Sequence, residues 1–439
     1  MRRTVSVMLL AVLAASLLAG MPAPAVGSGS FSPTGSLETK RGGAGGALLA
    51  DGRVLVVAGT NGTDVLASEA FNPQSGTFSS AALPALSTGR YNVAVAPLAD
   101  GKVLIAGGNQ GSTSLQTTLF FDPQTNSFSD GPMLTVPRAN AAATLLADGR
   151  VLLAGGNNAT GFLDSAEVYD PTANAFSPVG SMTSVRTNAV AAALPGGRAL
   201  VAGGRDDDPI LASAEVFDPG TNSFGAGGIG SMSVPRVGAV AAPLPNGQVL
   251  VAGGANDSSP ALATAEVFDP QANGFSSAGI GAMATGRTSA LAAPLADGRV
   301  LVAGGQDETS YLPSSEIFAL DAPPDGRMVN NAFTFSIKGR KLIVRVQASG
   351  KVSVRGVSSR ASTKRPKLLL KPSSASGGPP KIVVGLRLSK AAKQRLRRSG
   401  RVMIRARISF APDGGLPNTK TAKLKLKGKK HRRSPHRGA

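Results

Sequence analysis

The phrase DGRVLLAGGN at 148–157 is written six times along this chain with small changes: DGRVLVVAGT at 51–60, DGKVLIAGGN at 100–109, GGRALVAGGR at 196–205, NGQVLVAGGA at 246–255 and DGRVLVAGGQ at 297–306. No other feature constrains the fold as tightly. A period of this kind means that one supersecondary unit recurs, that no unit buries its apolar face alone, and that neighbours stack into a single body. The 439 residues therefore do not divide into the roughly three ordinary domains that length alone suggests.

One unit, Arg186 to Phe224, reads RTNAVAAAL, a Pro-Gly-Gly turn, RALVAGG, a variable stretch DDDPILA, then SAEVFDP, a polar turn GTNS and a phenylalanine that opens FGAGGIGSM. These segments read as four strands. Asp-Gly, or Asn-Gly at 246–247, suits a tight turn and makes the first two strands neighbours. The second strand is apolar without alternation, which argues for burial on both faces. Its closing Gly-Gly removes Cβ atoms where another backbone comes close. The third strand carries Glu, then alternating apolar residues, then Asp-Pro, which stops pairing. The fourth opens with Phe78, Phe128, Phe176, Phe224 or Phe275. The leading arginines, Arg41, Arg90, Arg138, Arg186, Arg236 and Arg287, recur every 48–51 residues. Four short strands per period of this length predict a propeller blade.

Arginine, a D-G-R-V-L-V-A-G-G segment, an E-V-F-D-P segment and an aromatic opening the next strand together resemble the Kelch repeat, in the bacterial form related to the central domain of galactose oxidase. The resemblance covers residues 31 to 320 or so, and departs from the family in carrying Phe where Kelch repeats usually carry Trp. It implies an all-β chain with a six-bladed Kelch-type β-propeller over 31–321. The sixth unit reaches a third strand at SSEIFALD (314–321) and then lacks a fourth, whereas FSPTGSL (31–37) parallels FSPVGSM (176–182) and precedes the first arginine. The N-terminal strand is therefore expected to complete the last blade and close the ring, which removes open sheet edges.

The same resemblance raises copper radical chemistry, and the sequence excludes it. That chemistry needs a tyrosine cross-linked to cysteine and two histidine ligands; this chain has no Cys, and its histidines are His431 and His436 near the end. Serine–histidine triads and histidine-held metals go the same way. The glycine pairs end strands and do not open helices, so they are not nucleotide fingerprints. No cofactor or metal is expected. Asp206, Asp207 and Asp208 are adjacent carboxylates of a type that suits calcium, but without the alternate spacing of a calcium loop, and read as a solvated loop.

The six arginines pose a choice. Each starts the strand nearest the axis, and two residues further on lie Gly43, Asn92, Asn140, Asn188, Gly238 and Ser289. A guanidinium ring with amides beside it can clamp a carboxylate or a sugar. Third strands supply Glu69, Glu167, Glu215, Glu266 and Glu316, with Leu119 in the second unit, so Arg–Glu pairs in every blade but that one read as a structural ring. Function is expected where the units differ, in the loops 109–116, 157–164, 205–212, 255–262 and 306–313. The candidate ligand contacts are Asn92, Asn140, Asn188, Arg205, Asp206, Asp207 and Tyr311.

The two ends are different objects. Arg2 and Arg3, an apolar run at 7–20 and Ala23-Pro24-Ala25 read as a secretion signal over 1–25. Residues 325–439 hold 31 Lys and Arg against two acids, a net +29, whereas 26–324 come to −11. Strand patterns at 341–347, 381–389, 401–410 and 421–427, with a short helix at 389–400 capped by Ser389 and stopped by Gly400, predict a small basic β-rich, sandwich-like domain over 330–427. Residues 360–366 and 371–380 read as loops and 428–439 as a disordered basic tail. The expectation is an exported, secreted or surface-associated, non-enzymatic binding or scaffold protein. Its propeller loops take a protein or glycan. Its cationic module holds an anionic envelope polymer or lipid surface. Nucleic acid is not expected, nor a transmembrane segment in the mature chain. The alternative is a metal-independent sugar-modifying enzyme similar to the exported Kelch-type sialic acid epimerases.

Overall fold

A computed structural model describes residues 28–321, 333–338, 341–346, 350–356, 370–371, 373–377, 381–399, 401–412 and 418–427. The expected secretion signal at 1–25, helix stop at Gly400, loop at 360–366 and tail at 428–439 lie outside the described residues.

Residues 28–321 form six four-stranded antiparallel sheets arranged as propeller blades. The third blade is representative: Ala142–Leu145, Val151–Ala154, Ala166–Asp170 and Ala175–Val179, from the axis outward. The innermost strands of successive blades stand side by side, and the last of them meets the first, so the ring is closed. Val54–Val57, Val103–Ala106, Val151–Ala154, Ala199–Ala202 and Val300–Ala303 are buried at every position. Their continuous apolar run follows from this: each second strand is covered by a blade on either side. The cores accordingly span blades, as where Ala96 and Leu104 of the second meet Val151, Leu153 and Tyr169 of the third.

The glycine pairs show what they are for. A Cβ added at Gly155 would lie 2.2 Å from the Arg186 carbonyl oxygen, and the Gly156 amide donates to that same oxygen at 2.8 Å. Arg186 belongs to the next blade, so the glycines join blades as well as ending a strand. The same bond runs from Gly305 of the sixth blade to Arg41 of the first, at 2.8 Å.

Gly29–Thr34 pairs antiparallel with Ser315–Leu320 and is the fourth strand of the sixth blade, as the sequence predicts. Phe31 opposes Phe318 with ring centroids 4.9 Å apart. The other blades repeat this aromatic pair at 4.8–5.3 Å. The Asp-Gly turns divide the work between their two residues. Only glycine takes positive φ (Gly149, 95°), while the Asp148 carboxylate accepts the Arg150 amide at 3.0 Å.

The C-terminal residues form a three-stranded sheet, in the order Phe333–Lys338, Lys341–Val346, Lys381–Gly385, and a four-stranded one, Ser373–Gly377, Gly350–Gly356, Arg401–Pro412, Asn418–Lys427. Leu342, Val384, Val354, Ile404 and Leu424 from the two sheets share one core. The helix Lys390–Ser399 packs on this core through the buried Ala392 and through Leu396, with the Ala392 amide donating to the Ser389 hydroxyl at 3.3 Å. The loop expected at 371–380 is corrected in part: Ser373–Gly377 is an edge strand, bonded on one side to Gly350–Val354. No helix among the described residues is long and apolar enough to cross a membrane.

Candidate functional site

All six ring arginines are buried, Arg41 to 0% exposure and Arg90 to 5%. In the third blade, Arg138 donates through Nη1 to the Gly155 and Ser165 carbonyls and through Nε to Glu167 Oε1 at 2.7 Å. The other Glu167 oxygen accepts the Thr135 amide, on the linker that enters the blade. Glutamate therefore ties third strand, arginine and linker together. The same ion pair joins Arg41 to Glu69, Arg186 to Glu215, Arg236 to Glu266 and Arg287 to Glu316. Burial lowers the guanidinium pKa in each, and the facing carboxylate opposes that shift. Arg90 has no such partner. It holds only the Gly107 and Thr117 carbonyls and the Thr117 hydroxyl, at 3.3–3.4 Å; burial lowers its pKa, and the charge of Asp130 opposes that shift. Asp130 stands opposite Leu119 in the register, one strand outward from the missing glutamate.

Two residues past each arginine the backbone turns left-handed. Gly43, Asn92, Asn140, Asn188, Gly238 and Ser289 have φ of 52–66°. Each of the six amides donates to the carbonyl of the residue before it in the ring, Gly43 to Ser289, at 2.7–3.0 Å. The result is a closed belt of backbone hydrogen bonds around the axis. Its residue types follow from its geometry, because Gly and Asn bear positive φ at least cost. The asparagines expected as side-chain donors have a first role in making this turn.

The side chains still matter. The belt lines a cavity of about 120 Å³ at the mouth of the axis, with Ala44, Val93, Ala141, Ala189, Ala239 and Ala290 beneath. Three consecutive blades contribute an asparagine to its lining, and the other three give Gly, Ser and Gly. The Asn140 amide donates to Asn157 Oδ1 at 2.8 Å, and the Thr187 hydroxyl donates to the same oxygen at 3.0 Å. Asn157 heads a loop and is absent from the contacts expected from sequence; the signal for it is its place, directly after a Gly-Gly. Around the mouth, the residue after each of several arginines bridges to the first loop residue: Tyr91 to Asn109, Ala139 to Asn157, Thr187 to Arg205, Thr288 to Gln306. The variable loops therefore surround the belt.

Of the expected contacts, Asn92, Asn140 and Asn188 come together. Arg205 is exposed on the surrounding ring. Tyr311 bridges to Gln306 and lies against Gly42, where a Cβ would come within 3.2 Å of its ring. Asp206 and Asp207 stand away from the cavity on the fourth blade's loop, the Asp207 amide donating to Asp206 Oδ1. Across the loops 60–67, 109–116, 157–164, 205–212, 255–262 and 306–313 there are eight acids and one base, Arg205. The mouth is thus a neutral amide-lined hollow inside an anionic rim. A larger hollow, about 500 Å³, opens at the opposite face between the turns of the first and sixth blades. Its charged walls are Asp51, Arg53 and Asp297, and both aspartates are bound to the arginine two residues on. Among the described residues no group of three acidic or histidine side chains is placed to hold a metal.

Residues 137–183 match the family model of the Kelch motif, a span that runs through the third blade from its arginine. Comparison with curated proteins gives no match.

Proposed function

We propose that this six-bladed propeller, with a Kelch motif in its third blade, is an exported binding or scaffold protein and not an enzyme. A Kelch propeller is commonly a protein-interaction scaffold. The observation that carries the reading is the axial mouth. Every ring arginine is buried within its blade, while Asn92 and Asn188 line a cavity among variable loops. Amides and a nearby tyrosine suit a neutral, hydroxyl-rich glycan or a peptide loop. The segment at 1–25 supports export. The basic module supports attachment to an anionic polymer or lipid surface of the envelope.

The test uses glycine, since Asn→Gly keeps the left-handed turn and removes only the amide. Asn92→Gly, Asn140→Gly and Asn188→Gly combined should leave the fold intact and abolish binding on a glycan and surface-protein array. Undiminished binding would show that the mouth is not the site.

One observation favours the alternative, a sugar-modifying enzyme: among the ring arginines, Arg90 alone lacks a carboxylate. Against it, Arg90 is buried on carbonyls and lines neither hollow, and the anionic rim repels an acidic sugar. Epimerisation of sialic acid followed by proton NMR, with Arg90→Lys as control, decides between the two.

A further inference from the structure

No acid occurs among the described residues of the C-terminal module, and its cations are not scattered. Strand alternation gives each sheet an inner and an outer face. Val352, Val354, Ile404, Ala406, Ile408, Leu424 and Leu426 belong to the core, which assigns the odd-numbered positions of these strands to the outer face. The register then sets Arg401 opposite Lys427, Arg405 opposite Lys423 and Arg355 opposite Arg407. Lys351, Lys425 and Met403, on the same face, are exposed. Like charges directly opposed on a sheet work against its pairing. Three such oppositions occur at positions of one face, with Met403 opposite Lys425 between two of them, and the described residues of the module include no acid.

The three-stranded sheet repeats the arrangement. Leu342, Val344 and Val384 are in the core, so Arg345 opposite Lys381, and Lys341 opposite Lys338, take outer-face positions, with Val383 exposed between them. Register thus gives both sheets of the sandwich basic residues at outer-face positions.

This bears on what it binds. A planar bilayer can meet only one outer face of a sandwich and has no use for the second. A flexible linear polymer can lie along both. Alternate positions on a strand are about 6.7 Å apart and neighbouring strands about 4.8 Å apart, a grid that matches anions carried every few bonds along a chain. Arginine's planar fork suits phosphate oxygens, and Ser353 adds a hydroxyl position to the larger face. We infer that the two outer faces of the C-terminal sandwich together bind one linear, phosphate-bearing polyanion. The assignment rests on the proposed attachment role of the module and specifies its partner. Binding offsets the repulsion between opposed cations, so the polymer stabilises the fold that holds it.

The test titrates the full chain with inorganic polyphosphate and, separately, with phosphatidylglycerol vesicles at equal charge. One variant carries Arg405→Ser and Lys423→Ser, a second Arg345→Ser and Lys381→Ser. Polyphosphate should bind more tightly than vesicles; each variant should lose about threefold to tenfold in affinity, and the combined variant the product of the two losses. Without polymer, each variant should melt at a higher temperature than the parent, which separates lost binding from lost folding. Arg432→Ser with Arg433→Ser, near the end of the sequence, should cost less. Loss confined to one sheet, or vesicles binding as tightly as polymer, overturns the two-faced assignment while leaving attachment standing. Binding to neither anion overturns both.

Discussion

Ala58 stands where the other blades carry Gly107, Gly155, Gly203, Gly253 and Gly304, and it adopts the same left-handed backbone, φ 65°. A side chain there costs about 1–2 kcal/mol of backbone strain, and burying the Ala58 methyl in the core it shares with Leu86 and Phe121 returns about 0.8 kcal/mol. Ala58→Gly should therefore change stability by less than about 1 kcal/mol. Gly155→Ala faces the same strain plus the Arg186 carbonyl in its path and should cost at least about 2 kcal/mol. Paired denaturant melts measure both. The ring arginines permit a sharper comparison. Glu167→Gln removes a carboxylate from a buried guanidinium and should cost about 3–5 kcal/mol. Leu119→Glu does the reverse for Arg90 and should stabilise by about 1 kcal/mol after the loss of apolar contact. Asp130→Asn, at an exposed position, should cost roughly 0.5 kcal/mol in the parent. Combined with Leu119→Glu it should cost nearly nothing, because the new carboxylate then takes over from the old one. A double-mutant cycle with no coupling would break the link between Asp130 and Arg90.

Among the elements, the strand Gly29–Thr34 carries the closure of the ring. Deleting residues 28–34 exposes the edge of Ser315–Leu320, and an open edge recruits another chain. The shortened protein should self-associate in light scattering, and a peptide with the sequence of 28–37 should return it to a monomer; a shortened chain that stays monomeric would mean that the seam closes without the strand. This element is legible because FSPTGSL repeats a phrase found elsewhere after a third strand. The second strands are legible because burial between two blades leaves no polar position to blur their pattern. The belt is not. Gly, Asn and Ser at one position share tolerance of positive φ, but three asparagines beside arginines suggest donors more readily than they suggest a turn. Gly-Gly announces a close backbone approach without saying that the backbone is the next blade's. In the C-terminal module, Val352 and Val354 mark a strand too short in pattern to stand out beside its longer neighbours, and Ser373–Gly377, an edge strand of small residues, carries no apolar alternation by which to find it.

For the whole molecule, the division of charge is the property that no single blade or sheet possesses. Residues 26–324 carry −11 and residues 325–439 carry +29. An anionic surface attracts one part and repels the other, so the module and the propeller answer such a surface in opposite senses. Screening sets the range of both effects, about 10 Å at 0.1 M salt and about 3 Å at 1 M. The full chain should be retained on a phosphate-bearing matrix at low salt and released progressively as salt rises toward about 1 M, with an affinity that falls steeply with the logarithm of salt concentration. A protein ending at Asp321 keeps every blade and the −11, and should pass through the same matrix at any salt. Retention of that shortened protein would place the attachment surface on the propeller. Salt-independent retention of the full chain would replace the electrostatic account with an apolar one, drawing on the exposed Met403 and Val383.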